Sequence, residues 1–407
     1  MPKRVLMLCY YYPPIDAIGA LRSVAFALNF REFGWEPVVL SVTQCKDRWV
    51  TVGNSRPPEG VAVFRAPEFG IGRYCDYLQG AFCRLLRLFG FETRRNWVRD
   101  IFCFPDAQIT WLPAIKGISL APAVDVIYVS CSPFSAALNG VLIKEVTGLP
   151  LVLDFRDPWN VPVSGSRYRG KMLELLERFV LRRADMIILN TPGAERIYRS
   201  AFPDLADRFL CIPNGYDRLI VAPTAPNENT FRIVHTGNFY LGRSPELLLR
   251  ALHELGRDDI EFVQVGNMHE GITRFKGKVR ITCTGVLPRE EAIDWMQKAS
   301  LLFLNQGPEF PHAIAAKTYE YLASGRPILV DAPPGENAEF ITRYAARSYV
   351  VTSGSHDDLR QAVLKAYEER SLPCGVKQEF VSSFQRRELT GRLAARMSQL
   401  ISMRSDA

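Results

Sequence analysis

A lysine and a glutamate that follow a buried strand are the residues best suited to chemistry. The strand is predicted at residues 301–304, and the chain after it turns into a short helix with apolar residues at helical spacing. Lys317 and Thr318 lie near the start of this helix, and Glu320 lies one turn beyond Lys317. A helix that begins past the carboxyl end of a parallel strand attracts anions, and an acidic residue beside it suits the hydroxyls of a ribose. These residues predict a site for a nucleoside diphosphate.

A loop with a second cation is predicted after a strand at residues 231–235. It opens with Gly237 and reaches Arg243 just before the next helix begins, and Gly266 follows a neighbouring strand in the same way. Arg243, Lys317 and a helix N-terminus together can neutralise a departing diphosphate without a metal ion. We therefore expect no metal and no cofactor at this site apart from the nucleotide substrate itself.

The first half of the chain has candidates of its own at predicted strand ends. The strand at residues 151–153 runs into the segment Asp-Phe-Arg-Asp-Pro-Trp, and Ser132 follows an earlier strand. Because strand ends carry the chemistry of this architecture, Arg156 and Asp157 are candidates for the reaction and Ser132 for an acceptor contact. The alternative is that Arg156, Asp157 and Asp154 form an ion cluster that only stiffens the loop.

The elements that must position these residues are strands alternating with helices. Strand, loop, helix and strand at residues 4–42 open a doubly wound sheet, and the same order restarts at residue 231 after a Pro-, Thr- and Asn-rich stretch. Gly19 and Arg22 lie at the start of the first helix, where Arg22 suits an acceptor phosphate; the alternative is a helix-start glycine and a solvated cation. The first loop lacks the G-x-G-x-x-G fingerprint of dinucleotide-binding enzymes.

Composition fits a protein with two cores. The chain has 407 residues, 47% of them hydrophobic, and length alone favours two domains. Its nine cysteines are scattered without metal-ligand spacing, which argues against a zinc site and fits a reducing cytosol. No apolar run approaches the roughly 20 residues that span a bilayer, and the N-terminal run is too short for a signal peptide. We expect a cytoplasmic protein, soluble or at the inner face of the cell membrane.

The positive charge is concentrated in the first half. The net charge is +7, and residues 1–200 hold 25 Lys and Arg against 18 Asp and Glu. Residues 74–89 carry a helical apolar stripe flanked by arginines, so the stretch 72–99 is a candidate contact with an anionic membrane. Packing of this stripe on its own domain is the alternative. Nucleic acid is not expected as a partner, since no basic stripe interleaves with aromatics.

Five segments of the chain carry a family resemblance in order. They are the glycine after strand one, the segment Asp-Phe-Arg-Asp-Pro-Trp, the Asn-Gly turn at 214–215, Thr-Gly-Asn-Phe-Tyr at 236–240 and Lys-Thr-Tyr-Glu-Tyr-Leu-Ala-Ser-Gly-Arg-Pro at 317–327. Together they resemble the family-4 retaining glycosyltransferases of the GT-B fold, in a branch with the Asp-Phe-Arg-Asp-Pro-Trp form. The resemblance implies an α/β chain of two Rossmann-like doubly wound domains facing across a cleft. The acceptor domain is expected at 1–222 with a crossing helix at 386–407, and the nucleotide-sugar domain at 223–385.

The resemblance also implies roles for residues that spacing alone does not assign. Glu320 matches the glutamate that holds the donor ribose, and His312 stands where many relatives have a catalytic glutamate. Asn238 takes the place of a phosphate-binding arginine, the backbone of Val286 that of a nucleobase contact, and Gly19 that of a close approach to phosphate or acceptor. Arg156 and Asp157 stand where many relatives have histidine and aspartate, suited to facing the phosphate and orienting a sugar hydroxyl.

The predicted function is retaining, metal-independent transfer of a hexose from a nucleoside-diphosphate sugar to a glycan or lipid-linked acceptor, as in cell-surface polysaccharide synthesis. Uracil is the favoured base and guanine the next. Two alternatives belong to other classes. One is a non-catalytic nucleotide-sugar-binding partner subunit, suggested by His312 and Asn238. The other is a nucleotide-sugar epimerase on the same fold, which would convert donor without any acceptor.

Overall fold

The chain folds into two compact α/β units. Its structure is a computed structural model that describes residues 2–45, 51–53, 55–88, 98, 102–159, 167–220, 229–240, 242–308 and 311–405. One unit comprises Met1–Pro213 with Arg386–Ala407, and the other comprises Asn214–Gln385. The boundary lies ahead of the predicted position at 222–223, because Tyr216 and Ile220 are buried in the core of the second unit.

The first unit is built on a parallel sheet. Its strands are β1 (Lys3–Leu8), β2 (Ile15–Asp16), β3 (Trp35–Val42), β4 (Thr51–Val52), β5 (Ala62–Ala66), β6 (Val126–Cys131), β7 (Leu151–Phe155), β8 (Met186–Leu189) and β9 (Phe209–Cys211). Among the described residues, seven of them form a sheet in the order β5-β3-β1-β6-β7-β8-β9, and β2 pairs separately with β4. The chain fills one side from β1 outward and then the other from β6, so the order reverses between β1 and β6.

The helices of the first unit connect these strands. They are α1 (Ile18–Asn29), α2 (Ile71–Leu88), α3 (Ala114–Leu120), α4 (Ser135–Thr147), α5 (Arg167–Arg183), α6 (Pro192–Ala201) and, from the end of the chain, Arg386–Ser405, with 3₁₀ turns at Phe30–Phe33, Ala121–Ala123 and Pro203–Arg208. Helix α1 ends in the first of these turns, and Gly34 closes it in the left-handed conformation that suits glycine. The last helix packs Leu389, Leu393 and Met397 into the core formed with β1 and β3.

The second unit repeats the plan. Its strands are β10 (Phe231–Thr236), β11 (Ile260–Val265), β12 (Arg280–Gly285), β13 (Leu301–Asn305), β14 (Ile328–Asp331) and β15 (Ser348–Val351). Its helices are α7 (Glu246–Leu255), α8 (Glu270–Thr273), α9 (Arg289–Gln297), α10 (Ala316–Ser324), α11 (Glu336–Tyr344), α12 (His356–Glu368) and α13 (Gln378–Phe384), and the C-terminal helix of the first unit is α14. In the described residues the six strands lie in the order β12-β11-β10-β13-β14-β15, all parallel, with the reversal between β10 and β13.

Burial on both faces explains why these strands form. The central strands are continuous apolar runs, such as Val5–Leu8 and Leu301–Leu304, and these residues are almost wholly buried. Runs of this kind are typical of parallel sheets that are covered by helices on both sides. The predicted α/β class with two doubly wound sheets is therefore confirmed.

Helix α2 settles part of the question about residues 74–89. Cys75 and Gln79 are buried on one face, whereas Tyr74, Tyr77 and Leu78 of the apolar stripe are exposed at 69%, 69% and 54%. The alternative that these three residues pack in the core is therefore wrong. The side chain of Leu85, together with Phe89, Arg94, Arg95, Trp97 and Arg99, falls outside the described residues. No helix in the described part of the chain is long and apolar enough to cross a bilayer.

Candidate functional site

The order reversal of the second sheet brings the predicted phosphate-binding segments together. Strand β10 ends at Thr236, so Gly237 leaves the sheet at this point, and β13 beside it leads to helix α10. Helix α10 starts at Ala316 with Ala315 as N-cap. Lys317 therefore lies in the first turn, where the helix dipole favours an anion over a cation.

Lys317 is held at the end of β10 by hydrogen bonds. Its Nζ donates to the carbonyl of Thr236 at 2.6 Å and lies 3.2 Å from Nε2 of His235. Burial first and then the nearby charge of Arg243 lower the pKa of Lys317 to about 7, against a smaller raising effect of Glu320. The pKa of His235 is also lowered, first by burial and then by Lys317, so His235 is neutral. Lys317 is thus a cation that an incoming anion would stabilise.

The charge of Arg243 contributes to the lowered pKa of both Lys317 and His235. Its guanidinium packs 4.6 Å from the ring centroid of Tyr240, and its Nε is buried without a hydrogen-bond partner in the described part of the chain. Neither Arg243 nor Lys317 forms a salt bridge with a carboxylate among the described residues. Two adjacent cations without a carboxylate partner are suited to an anion, and the assignment of Arg243 and Lys317 to the donor phosphates stays a prediction.

Two glycines allow the strand-end loops around this site to approach one another. Gly237 has φ 95° and Gly266 has φ 149°, both in the region that favours glycine. A Cβ on Gly266 would lie 2.6 Å from the carbonyl oxygen of Gly237, so no larger residue fits there. The exposed Asn238 uses its Oδ1 to accept from the backbone of Asn267 at 2.8 Å, which holds the two loops together. Asn238 therefore supports the loop; it supplies no charge to a phosphate.

Glu320 forms part of an ion network with two residues that the sequence analysis missed. Arg289 Nη2 donates to Glu320 Oε1 at 2.9 Å and to Asp217 Oδ2 at 2.8 Å. The charges of Glu320 and Asp217 outweigh burial and raise the pKa of Arg289. These three side chains line a pocket with Tyr216, Arg218, Ile220 and Ile293. The position of Arg289, directly after the loop that contains Val286, is the signal that could have identified it.

The remaining donor candidates differ in what they offer. Val286 is exposed at 70% beside Gly285, so its backbone stays a candidate for a base contact. Thr318 is fully buried, and its hydroxyl donates to Asn337 Oδ1 at 2.7 Å. The prediction that its side chain binds the donor is therefore wrong, because the hydroxyl lies on the packed face of α10. His312 is half-buried in the turn before α10.

In the first unit, Arg156 reaches the point where the strand order reverses between β1 and β6. Its Nη2 donates to the carbonyl of Ser132 at 2.5 Å, and its guanidinium covers Gly19 so closely that a Cβ there would lie 1.2 Å from Nη1. Gly19 is therefore required for the position of Arg156. Ser132 itself has φ 115°, which is uncommon for a residue with a side chain and occurs most often at functional sites.

Arg22 belongs to the core and does not face a ligand. It is 3% exposed, and its guanidinium donates to both oxygens of Asp154, at 2.7 and 3.0 Å, and to the carbonyls of Ile212 and Pro213. The prediction that Arg22 binds an acceptor phosphate is wrong, because its donors are used inside the protein. The alternative that Arg22 is a solvated cation is wrong as well.

The predicted ion cluster of Asp154, Arg156 and Asp157 does not form. Asp154 is fully buried and pairs with Arg22 and the hydroxyl of Tyr128, while Asp157 is exposed. The loop is held instead by Tyr198, whose hydroxyl accepts from the backbone of Trp159 at 2.8 Å. Tyr198 also donates to Glu177, a contact across helices that no local pattern indicates. Arg156 and Asp157 are thus left available for a ligand.

Comparisons with known proteins agree with this fold. Residues 22–215 match a family model described as a glycosyl transferase 4-like domain. No curated protein sequence matches the chain. Solved structures match it over nearly its whole length but at low identity. HepE of Anabaena, bound to UDP and glucose, has a TM-score of 0.65 at 15% identity and covers 98% of this chain and 100% of its own.

Two other structures extend the comparison. Sucrose-phosphate synthase of Thermosynechococcus elongatus has a TM-score of 0.62 at 13% identity, with 98% of this chain and 100% of its own covered. A Listeria monocytogenes protein described as a UDP-N-acetylglucosamine 2-epimerase has a TM-score of 0.51 at 14% identity, with 97% and 95% covered. Residues 22–215 therefore resemble a glycosyl transferase 4-like domain, and the chain as a whole has the two-sheet α/β fold of the GT-B glycosyltransferases.

Proposed function

We propose that the protein transfers a sugar from a nucleoside-diphosphate sugar, with UDP as the favoured nucleotide, to a glycan or lipid-linked acceptor. The observation that carries this proposal is the pair of adjacent cations, Lys317 and Arg243, at the order reversal of the second sheet. HepE binds UDP on a similar fold, which supports UDP as the donor nucleotide. The likeness itself concerns the fold, so the nucleotide and the reaction belong to the proposal.

The chemistry follows from where charge develops. As the glycosidic bond to the phosphate breaks, the sugar takes on oxocarbenium character and negative charge moves onto the diphosphate. Lys317, Arg243 and the N-terminus of α10 stabilise that charge, so a metal ion is not required for it. The acceptor hydroxyl oxygen then attacks the anomeric carbon from the face that the diphosphate leaves and passes its proton to the departing phosphate oxygen, which gives retention without a covalent enzyme intermediate. Positioning of donor and acceptor supplies much of the remaining rate enhancement.

Arg156, Asp157 and His312 are the proposed residues on the sugar side. Arg156 is fixed over Gly19 by the carbonyl of Ser132 and faces an anionic group of donor or acceptor. Asp157 is exposed beside it and orients a sugar hydroxyl. His312 takes the place of the family's first glutamate. If the acceptor is lipid-linked, the exposed residues Tyr74, Tyr77 and Leu78 of α2 contact the membrane. Arg84 and Arg87 then lie near anionic headgroups.

The test is transfer from radiolabelled UDP-sugars to a membrane extract of the native host, with and without the detergent-soluble lipid fraction. Wild type is expected to give labelled product only with an acceptor. Arg156→Ala is expected to lower kcat by tenfold or more, on the order of the loss of one charge-stabilising donor, with little change in UDP affinity. The proposal would be contradicted if each UDP-sugar released free UDP and none of them gave transfer to an acceptor.

An epimerase is the second candidate, because a Listeria protein described as an epimerase shares the fold. Such an enzyme would interconvert the sugar of the donor in the absence of any acceptor. Incubation of UDP-N-acetylglucosamine with the protein alone, followed by separation of the C2 epimers, distinguishes the two. A transferase leaves the donor sugar unchanged apart from slow hydrolysis. A non-catalytic partner subunit would bind UDP and give neither product.

A further inference from the structure

One oxygen of Glu320 is used by the protein and the other is not. Arg289 Nη2 and Nε both donate to Glu320 Oε1, at 2.9 and 3.3 Å. Among the described residues Oε2 of Glu320 accepts no hydrogen bond from a side chain or backbone group. The Glu320 side chain is 15% exposed, so it borders the pocket while most of its surface is packed.

We propose that Arg289 is a positioning residue for nucleoside recognition, which fixes Glu320 through Oε1 and leaves Oε2 to accept from the ribose hydroxyls. This inference rests on the proposed function, since it takes Glu320 as the residue that contacts the ribose. Arg289 would act through Glu320 and need not contact the nucleotide itself. The consequence is that ribose recognition depends on a residue outside the helix that carries Glu320.

The fixed geometry matters because a glutamate side chain is flexible. A free glutamate loses rotamer entropy when it binds a ligand, and this loss subtracts from affinity. A guanidinium that donates twice to one carboxylate oxygen removes much of this freedom before the ligand arrives. A carboxylate only accepts hydrogen bonds, which matches the two donor hydroxyls of a ribose.

Asp217 completes the arrangement by balancing charge. Arg289 Nη2 donates to Asp217 Oδ2 at 2.8 Å, so the guanidinium lies between two carboxylates. One cation with two anions leaves one net negative charge, and Glu320 remains a strong acceptor in spite of its ion pair. The side chains of Arg289 and Asp217 are 38% and 36% exposed. Ion pairs with this exposure contribute little to folding stability, so a role in ligand positioning accounts better for the network.

The test compares UDP with 2′,3′-dideoxy-UDP by calorimetric titration. If Glu320 binds both hydroxyls, wild type is expected to prefer UDP by roughly tenfold or more, as for hydrogen bonds to a charged acceptor. Arg289→Ala is expected to reduce this preference to a few-fold by weakening UDP binding while dideoxy-UDP binding changes little. Asp217→Asn, which keeps the size of the side chain, is expected to move the preference in the same direction by a smaller factor.

Arg257→Ala is the matched control. Arg257 pairs with Asp259 at similar exposure, 40% and 38%, at the opposite end of the sheet before β11. Arg257→Ala is expected to leave the preference for UDP unchanged. Circular dichroism and thermal unfolding check that all variants fold.

Each unexpected result has a distinct meaning. If Arg289→Ala weakens UDP and dideoxy-UDP by the same factor, Arg289 acts on the pocket in general and the inference is overturned. If wild type binds both nucleotides equally, Glu320 does not bind the ribose and the inference is also overturned, although diphosphate binding stands. If wild type binds neither nucleotide, the proposed function fails first and the inference fails with it.

Discussion

At the scale of single residues, the candidate site contains two half-buried cations, Lys317 and Arg243. Lys317 donates to a backbone carbonyl and faces Arg243 without a carboxylate partner in the described residues. Taking a cation out of water costs several kcal/mol unless it is compensated, which is why the pKa of Lys317 falls to about 7. In the proposed function a diphosphate supplies the missing charge. The unliganded site therefore carries a cost in stability that ligand binding offsets.

The first prediction concerns pH. Because the diphosphate favours the charged form of Lys317, binding of UDP above pH 7 takes up a proton, and affinity is expected to fall as the pH rises from 7 to 9. Titrations in buffers of different ionisation enthalpy would measure the uptake. Lys317→Met is the comparison, since the ionisation of UDP is common to both proteins. Identical pH profiles for wild type and variant would show that Lys317 does not titrate on binding.

The same pKa shift affects folding in the absence of ligand. Between pH 7 and 10.5 the unfolded chain holds a proton on Lys317 that the folded protein has released. Lys317 is therefore expected to make the free energy of unfolding increase with pH over this window. Urea unfolding of wild type and Lys317→Met at pH 7 and 9 measures it. If the difference in stability between the two proteins were independent of pH, the shifted pKa would be contradicted.

A third residue-scale prediction concerns Gly19. Any side chain there collides with the guanidinium of Arg156, so Gly19→Ala is expected to displace Arg156 and to lower transfer activity about as much as Arg156→Ala. Gly170→Ala is the control, because a Cβ at Gly170 meets nothing within 4 Å. UDP binding in the second unit should be unchanged in both variants. Full activity of Gly19→Ala would mean that the position of Arg156 is not needed.

At the scale of elements, the rule that strand ends carry chemistry predicted more than side-chain patterns did. It made Lys317, Arg243 and Arg156 candidates, which all follow parallel strands and whose roles stay predictions. It was wrong for Arg22, because a helical position does not reveal a partner such as Asp154, 132 residues away in sequence. Thr318 was predicted in the site, but its side chain is buried and donates to Asn337. Arg289 was missed because its partners lie on other elements.

The element-scale prediction concerns α2. Its exposed Tyr74, Tyr77 and Leu78, together with arginines on the following turns, suit an anionic membrane interface. Replacing Tyr77 and Leu78 by glutamate is expected to abolish sedimentation with phosphatidylglycerol vesicles and to leave thermal stability nearly unchanged, since both side chains are exposed. Leu142→Glu is the control, because Leu142 on α4 is similarly exposed at 55%. Vesicle binding that survives the double substitution would exclude this face.

At the scale of the whole molecule, the fold was readable from the sequence because each level of the pattern agreed. Apolar strands alternate with helices in both halves, and five motifs follow in the order of a two-sheet α/β chain. The unit boundary was placed less well. The stretch 221–230 has the composition of a linker, yet Tyr216 and Ile220 ahead of it are already part of the second core. Composition marks where a chain is polar; it does not mark where packing changes.

Nucleotide binding is expected to be confined to the second unit. A nucleotide at 100 times its dissociation constant stabilises the state that binds it by about 2.7 kcal/mol, which raises the unfolding midpoint by a few degrees in a chain of this size. Arg156→Ala, in the first unit, should show the same shift with UDP as wild type. A shift lost in Arg156→Ala would place part of the nucleotide site in the first unit.

The most direct measurement of the central claim is calorimetric titration of wild type and of the Lys317→Met, Arg243→Ala double variant with UDP and with uridine. We expect wild type to bind UDP much more tightly than uridine, and the double variant to lose most of this difference while still binding uridine. If the double variant retained the full preference for UDP, or if wild type bound UDP no better than uridine, the two cations would not form a diphosphate site.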